Sequence, residues 1–378
     1  MTAHIFTVNP DTFNVHLNYM FAGTGKDNEK HNKGALADIL AVRPGDDIVF
    51  YVIERGFYGF FKAENHPIFY EGLAEHYLQR ELGRTLTYRL FIEPSSDGVF
   101  RSGVKEWDAI ENPVFIQENK IYNMQWSWIF KKLKGNRGCT AITNDEFRLL
   151  RQIIAKEEDR LPQSQAFSFS GEHILPLNRK LSYTGNTTEA PRNSEDIKRI
   201  RLEVDLRICF TALSGHDIVF NPILQPERYG NIISIANEVI CSFGEKKIDL
   251  MMCTDRQKCL LIELKNSFEC DDSVPHQIAS YARWVSAYKP ELQEIIPILI
   301  VKAPKPYPAR GGCKKFKCLS LHAFEQSITS PWYNSILAKI TEARQIVRDY
   351  QLARTSALRV YQFSTAEKNI LTGFAEIR

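Results

Sequence analysis

The stretch KKIDLMMCTDRQKCLLIELKN, residues 246–266, decides how the chain reads. Two apolar runs, KKIDLMMCT and KCLLIELKN, flank the polar turn TDRQK, which is the pattern of two strands joined as a hairpin. Both runs are long enough for central strands. Side chains two apart on a strand share a face, so Glu263 and Lys265 point the same way. Pairing through the turn sets Asp249, at the far end of the first strand, near both. Two carboxylates converging beside a lysine form a hard-oxygen site suited to Mg²⁺. Such an ion polarises a phosphodiester and lowers the pKa of bound water. Lys265 would orient the attacking water or stabilise developing negative charge.

The flanking segments supply the rest of an α/β unit. SEDIKRIRLEVDLRICFTALSG, residues 194–215, predicts an amphipathic helix with a serine or acidic cap and a stop near Gly215. DIVFNPIL (217–224) and IIPILIVKA (295–303) read as further strands, and HQIASYARWVSAYK (276–289) as a helix. Helix, strands, helix and strand give an α/β sandwich around a mixed sheet. Glu203, in the first helix, adds a third carboxylate, for which Asp205, Glu238 and Glu245 are alternatives. Gln277 opens the second helix with Tyr281 one turn later on the same face.

At this point residues 196–303 resemble the PD-(D/E)XK nuclease superfamily. The pattern is IDL with Asp249, IELK with Glu263 and Lys265, then QIASY with Gln277 and Tyr281. The last element is similar to the Gln-x-x-x-Tyr signature of the RecB and NucS-type branches. The resemblance implies that Asp249 and Glu263 ligate Mg²⁺ (with Mn²⁺ as a substitute) and that Lys265 is the catalytic lysine. It also implies that Gln277 positions DNA or the active-site water and that Glu203 is an optional helix-borne acid. Tyr281 either contacts the DNA backbone or packs in the core. Asp249 departs from the family pattern in following Lys-Ile rather than a proline.

The first 160 residues have a different texture. HIFTV (4–8), DDIVFYVI (46–53), GFYGFFKA (56–63), TYRLFIE (87–93) and QWSWIFKKL (125–133) are aromatic or β-branched runs separated by RPGDD, ERG and SSDG turns. They predict a mostly antiparallel sheet or small barrel. KGALADILA (33–41) and TNDEFRLLRQIIAKEED (143–159) predict helices, the second capped by Thr143 or Asn144. This half resembles the PUA-like readers of the EVE and YTH type, through HIFTVNPDTFNV, AVRPGDDIVFYVIERGFYGFFKAENHPIF and MQWSWIFKKL followed by TNDEFRLLRQII. The resemblance implies a pocket that takes one modified base, flipped out of the helix, between aromatic rings. Its candidates are Tyr19, Phe21, Trp107, Trp126 and Trp128, with Asn18 or Asn9 reading the base edge.

Residues 161–195 lack sustained periodicity and are rich in Pro, Ser, Asn and Gly, which predicts a linker. The expected organisation is therefore a PUA-like β-barrel with helices over 1–160, a linker over 161–195, and a restriction-endonuclease-like α/β sandwich over 196–378 with a basic C-terminal extension. Residues 301–378 carry 13 Lys and Arg against 5 Asp and Glu, whereas residues 1–100 carry 9 against 13. In the basic loop VKAPKPYPARGGCKKFK (301–317), Lys302, Lys305, Arg310, Lys314, Lys315 and Lys317, interleaved with Tyr307 and Phe316, suit phosphate contacts and stacking.

No run of about 18 apolar residues is present, so no membrane span is expected. The start, MTAHIFTVNPDTF, lacks signal-peptide character, and the eight cysteines include no CxxC pair, the nearest pair being Cys313 and Cys318. Reduced thiols in a cytoplasmic protein are the expectation. The sequence thus reads as a Mg²⁺-dependent, modification-dependent restriction endonuclease acting on double-stranded DNA as a homodimer. Its rivals are a repair nuclease for mismatched or damaged DNA, a restriction enzyme with an unmodified site, and a non-catalytic nucleic-acid binder.

Overall fold

The computed structural model describes residues 2–25, 29–69, 78–83, 86, 88–111, 115–116, 120–121, 138–142, 144–182, 188–189, 197–241, 246–266, 273–289, 291–303, 331–350 and 352–377. The first half is built from β1 (Ala3–Val8), α1 (Pro10–Tyr19), β2 (Phe21–Thr24), α2 (Glu29–Leu40), β3 (Asp47–Val52), β4 (Gly56–Ala63), β5 (Ile68–Phe69) and β6 (Tyr88–Pro94). It continues through β7 (Phe115–Ile116), β8 (Lys120–Ile121), β9 (Cys139–Ile142), α3 (Asn144–Ile154), β10 (Ala166–Phe169), β11 (Ile174–Leu177) and β12 (Thr188–Glu189). Eight of these strands form one sheet, curled into a half-barrel, in the order β12-β5-β6-β4-β3-β1-β9 with β2 on β6. β1 and β3 are parallel, and the remaining neighbours are antiparallel.

Aromatic rings fill the hollow of that sheet. Phe13 packs 5.2 Å from Phe50 and 4.9 Å from Phe169 between ring centroids, and Phe61 lies 6.0 Å from Phe167. Gly56 closes the β3–β4 turn. Its φ is +134°, and a Cβ there would meet the Val104 carbonyl oxygen at 2.0 Å. Gly56→Ala is therefore expected to lower stability by about 1–3 kcal/mol through strain at a left-handed position, read as a lower urea midpoint at unchanged slope.

The second half carries a six-stranded mixed sheet, in sequence order β13 (Ile232–Ile240), β14 (Lys247–Thr254), β15 (Lys258–Lys265), β16 (Glu294–Lys302), β17 (Arg359–Thr365) and β18 (Leu371–Ile377). β15, β16 and β17 are parallel, and the other neighbours are antiparallel. Parallel strands need long crossovers, here through α5 (Ser273–Tyr288) and then α6 (Pro331–Asp349). The helix α4 (Glu203–Leu213) buries Leu206, Phe210 and Leu213 in one core with Leu250, Leu260, Ile262 and Leu264. A second core joins Tyr281, Ala282 and Val285 of α5 to Met251, Cys259 and Leu261. The expected pair of central strands is thus in place, and so is the mixed sheet between helices.

Four expectations are corrected. The helix expected over 194–215 is interrupted before Glu203, where α4 begins: Ile200 donates to the Asn369 carbonyl, and the Lys198 carbonyl accepts from Leu371, while residues 194–196 lie outside the described residues. DIVFNPIL is a 3₁₀ turn, Ile218–Phe220, and a helical turn, Asn221–Leu224. Asp217 caps it by accepting from the Val219 amide at 3.0 Å, and Pro222 would remove a donor from any central ladder. The expected linker holds the β10–β11 hairpin, whose Ala166, Phe167 and Ile174 are buried in the first-half core. The basic C-terminal extension ends in β17 and β18, which complete the second sheet. Among the described residues, no helix is long and apolar enough to cross a membrane.

Candidate acidic site at the β14–β15 fork

The antiparallel ladder of β14 and β15 runs from Cys253 opposite Cys259 to Leu250 opposite Ile262. One step further lie Asp249 and Glu263. There Asp249 takes over from the ladder, its Oδ2 accepting the Leu264 amide at 2.9 Å. Glu263 is 2% exposed. Its Oε1 accepts from Lys265 Nζ at 2.6 Å, and its Oε2 is buried with no hydrogen-bond partner among the described residues. Glu203, in the first turn of α4, lies close enough to feel the charges of Asp249 and Lys265. The three acids and the lysine expected from the sequence are neighbours in space.

Electrostatics shows how much negative charge has been gathered. Burial, with the Asp249 carboxylate next to it, pushes Glu263 up to about 8. Burial also raises Asp249, against the opposing pull of the Leu264 amide and the Lys265 ammonium. Burial and then the Asp249 charge raise Glu203. Burial lowers Lys265, but the carboxylates of Glu263, Asp249 and Glu203 outweigh it and raise its pKa overall. Carboxylates held together against their own repulsion are poised either to share protons or to take a cation.

The remaining acids have other duties. Asp205 accepts from the Arg201 and Leu202 amides at 2.9 and 2.8 Å and from Lys33 Nζ at 2.7 Å. Glu238 is held by Arg207 and, at 3.4 Å, by Lys247. Glu245 lies outside the described residues. Glu203, for which no such partner is found among the described residues, is left as the third acid. Glu238 nevertheless belongs to the site's frame. Asn237 pairs with Leu250 and Val239 with Ile248, so Glu238 stands opposite Asp249, and its φ of +45° is a strained value for a non-glycine in a strand.

A donor set of carboxylate oxygens with one buried oxygen left unpaired fits a hard divalent cation. Asp249, Glu263 and Glu203 are the residues that would hold it. Among the described residues, no three His, Cys, Asp or Glu side chains are already drawn around one point, and Lys265 is the group that now meets Glu263.

Gln277 and Tyr281 stand behind the site. Gln277 donates to the Tyr281 hydroxyl, which donates to the Lys247 carbonyl at 2.6 Å, bracing β14 two residues before Asp249. Tyr281 is fully buried among Ile248, Met251 and Val285, so it packs in the core and does not meet the DNA backbone. Lys302, at the end of β16, donates to Asn266 at 3.2 Å. Lys305, Tyr307, Arg310, Lys314, Lys315, Phe316 and Lys317 lie outside the described residues.

In the first half, Phe21 is corrected from pocket wall to core: it is fully buried, stacked on His16 at 4.4 Å with the Arg89 guanidinium 5.2 Å from its ring centre. Tyr19 and Asn18 are half-buried neighbours at the end of α1, and Asn18 Oδ1 is buried without a partner among the described residues. Asn9 is exposed at the start of α1. Trp107 falls in the short helix Glu106–Glu111, its side chain outside what is described. Trp126 and Trp128 also lie outside the described residues.

Arg207 carried no signal in the sequence. It sits one helical turn beyond Glu203, an i,i+4 spacing that puts both on one face of α4. No protein-family model matches the chain, and no curated protein is significantly similar to it.

Proposed function

We propose that the chain is a Mg²⁺-dependent DNA endonuclease. Its second half is read as a PD-(D/E)XK core of the RecB/NucS type and its first half as a PUA-like, EVE/YTH-type reader of a modified base. The observation that carries this reading is Glu263, a buried carboxylate with one oxygen on Lys265, one oxygen unpaired, and the Asp249 and Glu203 carboxylates beside it.

Bound Mg²⁺, or Mn²⁺ in its place, supplies Lewis-acid polarisation of the scissile phosphate and a more acidic water. Asp249 and Glu263 would hold it, with Glu203 as the helix-borne third ligand. Lys265 then places its ammonium where negative charge develops on the phosphate, which stabilises the transition state more than the ground state. Gln277 and Tyr281 keep β14 in position through the Lys247 carbonyl.

In the reader half, Tyr19 supplies a ring face and Asn18 an unpaired amide oxygen for the edge of an extruded base. Lys302 and the basic segment beyond it suit the phosphate backbone. One core cuts one strand at a time, so a homodimer on double-stranded DNA accounts for double-strand cleavage. The setting implied is the cytoplasm, in a restriction system.

Digestion of matched plasmids tests this reading. They carry adenine methylation, cytosine methylation, hydroxymethylation or none, and are incubated beside a mismatched duplex with Mg²⁺ or with a chelator, binding being read by filter retention. Cleavage confined to one modified plasmid in Mg²⁺ is the expected result. Equal cleavage of all four removes the reader assignment, cleavage only of mismatched duplexes favours a repair nuclease, and binding without any cleavage leaves a nucleic-acid binder.

A further inference from the structure

The helix α2 belongs to the first half by sequence, yet its inner face is part of the second half's core. Ala37 of α2 and Ala41, just past its end, are buried in one cluster with Leu206, Phe210 and Leu250. Three polar ties run from α2 and the turn after it to the elements that frame the acidic site. Lys33 Nζ donates to Asp205 Oδ1 at 2.7 Å. The Ala37 carbonyl, one helical turn on, accepts from Asn237 Nδ2 at 2.9 Å. Arg43 donates to the Ile232 carbonyl at 2.8 Å.

The first two ties land close to acids of the site. Asp205 is two residues from Glu203 and is 6% exposed. Its other oxygen gathers the Arg201 and Leu202 amides at 2.9 and 2.8 Å, so it shapes the turn from which Glu203 enters α4. Asn237 immediately precedes Glu238, the strained residue opposite Asp249. A buried carboxylate that loses its cation is left with an unpaired charge, and the turn it organises loosens with it.

We infer that Lys33, contributed by the first half, is a positioning residue for the acidic site: through Asp205 it fixes the Arg201–Leu202 turn and hence the Glu203 carboxylate. This rests on the nuclease reading for its consequence in cleavage, since Glu203 matters there as a cation ligand. It also makes α2 a mechanical link by which the reader half sets the geometry of the cutting half.

Lys33→Ala and Lys33→Arg in the full-length protein test the inference, because Lys33 is 31% exposed at its side chain and its loss leaves the cores intact. In Lys33→Ala, the Arg201 and Leu202 amides are expected to exchange with solvent about tenfold faster, while the Ile298 amide in β16 exchanges as before. Affinity for Mn²⁺ by calorimetry is expected to fall about tenfold, with wild-type values restored by Lys33→Arg. DNA cleavage should lose kcat at unchanged KM. Unchanged exchange at Arg201 and Leu202, or faster exchange with unchanged Mn²⁺ affinity, overturns the inference. A wild-type protein that binds no Mn²⁺ overturns the nuclease reading itself and this inference with it. A wild-type protein that binds Mn²⁺ but cuts nothing overturns the reading alone.

Discussion

Lys265→Ala and Asp249→Ala are each expected to lower Mg²⁺-dependent strand cleavage by about 10²–10³-fold or more, with DNA affinity within about twofold of the parent. The two act differently. Lys265 is the ammonium that faces the site, 2.6 Å from Glu263, and among the described residues no other cation is found on that carboxylate. Its removal takes away the positive charge available to the developing phosphate anion, and it leaves Glu263 more strongly protonated. Asp249 holds the fork itself through the Leu264 amide. Its loss removes the proposed cation ligand and an acceptor for a strand-end donor, and in the absence of cation it relieves Glu263 of the negative charge that raises it most. Asp249→Asn keeps most of the shape and separates ligand loss from loss of the fork. Single-turnover cleavage under saturating protein, with binding by filter retention, reads both. Either variant cutting within about threefold of the parent removes these residues from the chemistry.

The central hairpin was legible because its signals are local. The alternation in CLLIELK puts Glu263 and Lys265 on one face, and pairing through the turn TDRQK carries Asp249 toward them, in a register that the structure supplies. Signals that depend on distant partners were not legible. The segment 197–202 has helical periodicity, but the Ile200 amide and the Lys198 carbonyl are claimed by residues 369–371, and the Arg201 and Leu202 amides by Asp205. The apolar run of DIVFNPIL has strand composition, but Asp217 and Pro222 dictate turns. IISIANEVI, RVYQFST and LTGFAEI form β13, β17 and β18 and close the sheet on both sides, although only the tertiary fold distinguishes them from ordinary apolar stretches.

The same division holds in the site. Glu203 was legible as an acid on a preceding helix, whereas the choice between it and Asp205 turned on Lys33, which is 172 positions away from Asp205 in sequence. Arg207 and the strained backbone at Glu238 carry no mark in the sequence at all. The first half was read by resemblance from aromatic residues, and aromatic residues serve a core as well as a pocket. Phe21, clamped by His16 and Arg89, shows which use prevailed at that position.

The stability of the cation-free protein is expected to fall as pH rises from about 4.5 to about 8, and Mg²⁺ is expected to reverse that fall. The ordinary glutamate value is 4.5, and Glu263 in the folded chain stands at about 8, with burial the largest cause and the Asp249 charge next. Within that window the folded state holds a proton that the unfolded chain has released, so stability declines with rising pH. Below the window both states are protonated and the penalty is absent; above it both are ionised and the penalty is complete. A tenfold difference in proton affinity between the two states corresponds to about 1.4 kcal/mol, so the whole effect is a few kcal/mol, moderated by the Lys265 ammonium. A divalent cation binds the ionised carboxylate, so its stabilising effect grows as the proton leaves. Thermal unfolding in chelator near pH 5 and near pH 8, repeated in millimolar Mg²⁺, measures this. The Mg²⁺-induced rise in Tm should be larger near pH 8. Glu263→Gln carries no charge to bury, so in chelator near pH 8 it should melt above the parent and respond little to Mg²⁺. A parent protein whose Tm responds equally to Mg²⁺ at both pH values, or a Glu263→Gln variant that melts below it near pH 8, would show that Glu263 is not a strained carboxylate awaiting a cation.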